Sequence, residues 1–225
     1  MPVVALASSK GGCGKSTTAL ILASAFTADG YTVNIIDADR SGRLMKWGSH
    51  GGLPDTLSVE SADEKTLRGA IEASARKADV TIIDVEGSAN MGTALAIGYA
   101  DVVIVPANPS APDVEDAVAT VALIRDTAGM AKRHIPHALL WSRVPPAIRS
   151  REIAALANQV LEGGIPVVGQ VIERTAYKSL FSYATTLDRL PAGEVPSLDK
   201  AKAEATEVAE AIIALIGSQN AEVAA

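Results

Sequence analysis

Residues 9 to 17 read Ser9-Lys10-Gly11-Gly12-Cys13-Gly14-Lys15-Ser16-Thr17, between an apolar run at 3–7 and a helical pattern at 17–28. Strand, glycine loop, helix is the context in which such a loop binds phosphate. Three glycines let successive backbone N–H groups turn inward, and the N-terminus of the following helix adds partial positive charge. Lys15 supplies a point charge for the terminal phosphates, and the Ser16 hydroxyl is placed to hold magnesium. Gly11, Gly12, Cys13, Gly14 and Thr17 complete the nucleotide cradle. This order also constrains the fold, because a buried strand feeding a helix packs best as one unit of a parallel sheet.

Two more strand patterns end in carboxylates. Residues 31–36 lead into Asp37-Ala38-Asp39, and residues 79–83 lead into Asp84. Ligands of open parallel sheets bind at the carboxyl ends of the strands. Side chains two apart on a strand face the same way, so Asp37 and Asp39 can approach one magnesium-phosphate centre. Asp84 fits the Walker B position, which holds the metal through water. Further apolar runs at 101–105, 139–144 and 167–172, with a helical pattern at 112–128, continue the alternation. The expected architecture is a doubly wound α/β domain, mostly parallel, with helices on both faces. One domain is expected over 1–217, with a frayed tail at 218–225.

Lys10-Gly-Gly-x-Gly-Lys15-Ser is the deviant Walker A loop, and with Asp37, Asp39 and Asp84 it makes the chain resemble the ParA/MinD family of ATPases. A tryptophan at 47, soon after the aspartate pair, resembles the small plasmid ParA and VirC types. The resemblance implies that Lys10 reaches a partner's nucleotide across a homodimer, acting like an arginine finger in trans. It implies that Asp39 positions the attacking water and that Asp37 lies beside Mg2+. Lys10 and Asp39 are then the catalytic residues, Ser16, Asp37 and Asp84 the metal set, and Arg143 and Arg174 the candidates for adenine contact. Two departures stand out. The usual Pro-Gln after the aspartate pair is replaced by Arg40-Ser41-Gly42-Arg43, and Val85-Glu86-Gly87-Ser88 stands where many relatives have Thr-Pro-Pro. A carboxylate at 86 repels nucleotide unless turned away or protonated, so Glu86 is read as structural or solvated.

The net charge of −6 argues against a uniformly basic DNA-binding surface, but residues 132–187 hold seven bases and three acids. Family members of the ParA type bind DNA without sequence preference through basic residues of this half, which makes Arg149, Arg151, Lys178 and Arg189 the DNA candidates. A single cysteine excludes an intramolecular disulfide and the cysteine ligand sets of the iron-sulfur carriers that share this fold. The region 197–217 is acidic, unlike the basic membrane helix of MinD, so no membrane partner is expected. No uncharged apolar stretch approaches the about 20 residues that span a bilayer. The expectation is a cytoplasmic, nucleoid-associated ATPase that binds Mg-ATP, dimerises, binds DNA, and hydrolyses ATP slowly with a ParB-like adaptor to drive DNA partition. The same switch could serve DNA transfer or the positioning of protein cargo. A metabolic enzyme of the same fold, or a nucleotide-binding adaptor that never hydrolyses, are the readings of a different class.

Overall fold

The computed structural model describes residues 2–88, 90–147 and 150–223. Its elements alternate along most of the chain: β1 (Val3–Leu6), α1 (Lys15–Ala28), β2 (Val33–Ala38), α2 (Arg43–Gly48), β3 (Leu57–Ser61), α3 (Leu67–Ser74), β4 (Val80–Val85) and α4 (Met91–Tyr99). They continue with β5 (Val102–Ala107), α5 (Ala111–Ala131), β6 (His137–Val144), α6 (Ser150–Glu162), β7 (Val167–Ile172), α7 (Thr175–Ser182), a short 3-10 turn at Leu187–Arg189, and α8 (Leu198–Val223). The seven strands form one sheet in the order β3-β2-β4-β1-β5-β6-β7. Every neighbouring pair is parallel. The sheet expected to be mostly parallel is therefore wholly so.

The apolar strand runs have a simple cause. A parallel sheet covered on both faces buries both sides of its strands, so they read as continuous Val, Ile and Ala rather than as an alternation. Successive residues still point to opposite layers. Val4, Leu6, Ile35 and Ile82 enter a core with α1, α2, α7 and α8. Val3, Ala5, Ile36 and Ile83 enter the other, with α3, α4, α5 and α6. α1 lies between the sheet and α8 and is buried on nearly every side from Thr18 to Phe26. Its one polar residue in the middle, Ser24, is satisfied: its hydroxyl donates to the Leu20 carbonyl and accepts the Leu187 N–H.

β3 and α3 lie where the sequence carries no long apolar run. β3 is an edge strand, Leu-Ser-Val-Glu-Ser, and among its residues only Leu57 is fully buried. A polar cluster fastens this edge to the sheet. Asn34, with no exposed surface, donates to Glu60 and to Ser74 Oγ at 2.9 Å, and accepts from Ser58 Oγ at 2.6 Å. Buried amides need such partners, so the Asn34 network specifies which segments lie beside β2.

Strand order reverses around β1, whose neighbours are β4 and β5. At that point the carboxyl ends of the central strands open a crevice, the place where doubly wound sheets bind ligands. The loop after β1 lies in it, between the turn after β4 and the end of β6.

Candidate functional site

Gly12 and Gly14 adopt left-handed φ angles of 85° and 99°. Gly14 caps α1, and a Cβ there would stand 3.2 Å from the Ser142 Cβ. Ser142 also donates to the Cys13 carbonyl at 2.6 Å, so the end of β6 props the loop from behind. Gly87 closes it from the other side, because a Cβ at that position would lie 2.6 Å from the Lys10 carbonyl oxygen and 2.7 Å from the Gly11 nitrogen. The loop is thus held between β6 and the turn after β4. Ser142 and Gly87 were not identified from sequence: each sits immediately beside a residue that was singled out, and neither side chain announces a role.

Lys15 is 6% exposed, and its ammonium donates to the Lys10 carbonyl at 3.2 Å. A cleft of about 160 Å³ is lined by Lys15, Ser16, Thr17, Asp39, Arg43 and Arg143 together with the loop glycines. It shares Thr17, Arg43 and Arg143 with a second cleft of about 400 Å³ that also touches Arg174, Tyr177 and Phe181. Arg143 reaches both because its φ of 49° and a register shift between Trp141 and Val144 turn the end of β6 away from the regular ladder.

Below the loop, the Ser16 hydroxyl donates to Asp84 Oδ2 at 2.6 Å. Asp84 has no exposed surface, and its Oδ1 has no hydrogen-bond partner. Burial is the main cause that pushes its carboxyl up to about 7; the nearby Asp37 adds to the rise, whereas Ser16 and Lys15 oppose it. Asp37 pairs in register with Asp84 on the adjacent strand. It accepts backbone N–H groups from Asp39 at 3.2 Å and Met45 at 2.8 Å, and burial again lifts its carboxyl above the ordinary range. An unpartnered buried carboxylate oxygen, a hydroxyl and a second carboxylate form the hard oxygen set that magnesium takes, so Ser16, Asp37 and Asp84 fit the ion.

Asp39 is half-buried at the rim, where its Oδ1 accepts the Ser41 N–H at 2.8 Å. Lys10 is held within its own chain, its ammonium 3.8 Å from Asp113 and 3.6 Å from Asp116 at the start of α5. Ser9 fixes the same segment, donating its N–H to Thr120 Oγ1 at 2.9 Å. Asp113, Asp116 and Thr120 are further residues that the motif alone does not reveal.

Arg174 lines the larger cleft but is committed to Glu204 at 3.0 Å. Glu204 also accepts the Ile172 N–H at 2.8 Å and the Tyr177 hydroxyl at 2.9 Å. Among the DNA candidates, Arg149 lies outside the described residues. Arg151 is exposed in the first turn of α6, and Lys178 pairs with Glu173 at 2.7 Å on α7. Arg189 donates to the Gly52 and Leu53 carbonyls. Arg151 stands on the α6 side of the sheet and Lys178 on the α7 side. Among the described residues, no helix is long and apolar enough to cross a membrane.

Comparison with known proteins agrees with this geometry. The family model described as VirC1 protein matches residues 1–214. Protein ParA of Rhizobium radiobacter is 35% identical over 189 residues, covering 83% of this chain and 85% of that protein. Protein virC1 of the same organism is 27% identical over 187 residues, 80% of each chain. Among solved structures, apo McdA of Cyanothece superposes with a TM-score of 0.74 at 19% identity, covering 92% of this chain and 99% of the other. The cell division ATPase MinD of Pyrococcus furiosus does so at 0.69 and 16%, covering 95% and 99%. With its P-loop, its two carboxylate-tipped strands and its seven-stranded parallel sheet in place, this chain belongs to the VirC1 family of ParA/MinD-type P-loop ATPases.

Proposed function

We propose that this protein is a ParA-like switch that binds Mg-ATP, dimerises across its nucleotides, binds DNA without sequence preference, and hydrolyses ATP slowly to move or partition cargo. The observation that carries the reading is the Ser16–Asp84 contact beneath a loop that bears both Lys15 and Lys10. It joins the cradle to the metal-side carboxylates of the neighbouring strands.

In this reading the backbone amides of residues 11–16 and the Lys15 ammonium hold the phosphates. Ser16, Asp84 and Asp37 hold Mg2+, which supplies charge neutralisation on the phosphate oxygens when bound. Asp39 orients the attacking water from the rim. Lys10 leaves Asp113 and Asp116 and neutralises charge on the partner's nucleotide, as an arginine finger does. The about 400 Å³ cleft takes the base and sugar, with Arg143 at its mouth. A catalytic set completed only across the dimer accounts for a slow basal rate, since an isolated chain lacks one cation.

Partition of DNA is the favoured use because the relative with 35% identity is a ParA protein. The positioning of protein cargo is the second reading, favoured by maintenance of carboxysome distribution protein A of Halothiobacillus neapolitanus, 26% identical over 176 residues, 77% of this chain and 80% of that protein. The motor residues are the same in both readings, and the adaptor differs. The test is binding to a random-sequence duplex with ATP, with ADP and without nucleotide, with the mass of the complex measured alongside. An ATP-dependent dimer that binds DNA in a salt-sensitive way is expected. A dimer with ATP that ignores DNA would refute the DNA part, and a monomer in all three states would refute the switch.

A further inference from the structure

Arg40 and Glu86 are the two departures from the family pattern at the rim of the site, and they meet. Arg40 Nε lies 3.7 Å from Glu86 Oε2, and Asn90 Nδ2 donates to the same oxygen at 3.1 Å. Asn90 is itself fixed, because its side-chain oxygen accepts the Thr93 N–H at the start of α4. The pair spans two loops that matter for the chemistry. Arg40 follows Asp39 directly, and Glu86 precedes Gly87, whose backbone abuts Lys10 and Gly11. Both side chains line a cleft of about 630 Å³ beside the phosphate loop, with Asp37, Asp39 and Asn90.

We propose that Arg40 and Glu86 form a clasp between the loops after β2 and β4 that positions Asp39 and cancels the charge of Glu86 beside the phosphate cradle. The proposal rests on the reading of the cleft as an ATP site. Glu86 alone would put a half-buried negative charge next to bound phosphates, and the repulsion would fall more heavily on ATP than on ADP, which has one phosphate fewer. Arg40 offsets that charge from the exposed side. In the same contact it ties the residue after Asp39 to a turn packed against the phosphate loop. Arg40 and Glu86 are positioning residues: they act on nucleotide through charge and on water attack through Asp39.

The test compares wild type, Arg40→Gln, Arg40→Lys, Glu86→Gln and the Arg40→Gln/Glu86→Gln double variant. Fluorescent ATP and ADP analogues report binding, steady-state hydrolysis reports kcat, and unfolding midpoints report folding. An exposed ion pair of this length sets the scale at about 2- to 5-fold. Arg40→Gln is expected to weaken ATP by that factor and ADP by less, and the double variant to regain wild-type ATP affinity. Both glutamine single variants and the double variant are expected to lower kcat, whereas Arg40→Lys retains it. A merely structural role would weaken ATP and ADP alike, or leave the double variant as weak as the sum of the singles; either result overturns the clasp. A wild-type protein that binds both nucleotides, with no ATP-over-ADP difference among variants, overturns the clasp alone. A wild-type protein that binds neither overturns the ATPase reading with it.

Discussion

Replacing Asp84 by Asn should stabilise the nucleotide-free protein while disabling it. The folded protein holds this carboxyl near 7 against an ordinary value of 3.8, chiefly through burial. A carboxyl whose folded pKa is raised contributes stability that is whole below about pH 4 and is lost as pH rises toward 7. Above that, the ionised group costs the fold about 4 kcal/mol, from roughly three pKa units at about 1.4 kcal/mol each. Asparagine is neutral throughout, and its oxygen can still accept the Ser16 hydroxyl. Its amide group replaces an oxygen that has no partner, and an unsatisfied buried donor costs about 1–3 kcal/mol. The difference leaves a net gain of about 1–3 kcal/mol at pH 8, and below about pH 4, where the carboxyl is protonated folded and unfolded alike, a loss of about 1–3 kcal/mol. For a chain of this size that gain is a rise in Tm of roughly 2–12 °C. Thermal unfolding with a chelator and no nucleotide, at pH 5 and pH 8, measures it. The same variant should lose Mg-dependent ATP binding. A stability difference between variant and wild type that does not change with pH would refute the argument, because it would mean that Asp84 titrates normally.

Lys15→Ala is expected to lose nucleotide binding, whereas Lys10→Ala keeps binding and loses hydrolysis, with titration of a fluorescent nucleotide and phosphate release as the two readouts; normal turnover by Lys10→Ala would dismiss the trans lysine. Gly87→Ala places a methyl group against the backbone of residues 10 and 11, and the loop must move to admit it. A loss of about 1–3 kcal/mol and of most nucleotide affinity should follow, read by urea unfolding and by the same titration. Glu204→Ala leaves the partly buried Arg174 without its anion and removes the acceptor of Tyr177 and of the Ile172 N–H. Leaving these groups without their acceptor costs about 1–3 kcal/mol, visible as a lowered denaturation midpoint.

The central fold was legible because its signals are local and strong. The apolar runs at 3–7, 31–36, 79–84, 101–105, 139–144 and 167–172 are six of the seven strands, and a doubly buried strand can scarcely be written otherwise. β3 escaped because an edge strand with one buried residue has no such run; its place is fixed by Asn34, Ser58 and Glu60, and a polar network shows no period in a sequence. That the phosphate loop and the carboxylates at 37, 39 and 84 gather at one end of the sheet was legible because each stands at a strand end, where an open parallel sheet has its crevice. What supports them was not. Ser142, Asp113 and Asp116 are brought to the loop by strand order, with contacting partners up to 129 positions apart in sequence. Nor could spacing show that Lys178, Arg174 and Arg189 are engaged with Glu173, Glu204 and two backbone carbonyls, since an arginine in a list carries its charge but not its partner.

α2 is six residues, too short to hold its own shape in water. It stands because two of its residues are pinned to neighbouring elements. Met45 N–H donates to Asp37 beside Asp84, and the Trp47 indole N–H donates to the Leu180 carbonyl at 2.7 Å on α7, next to the Phe181 that lines the larger cleft. The helix works as a short strut between the carboxyl end of β2 and the far wall of the crevice, so movement of one wall is felt at the other. Trp47→Ala would release one of these pins, and the two walls would then move independently.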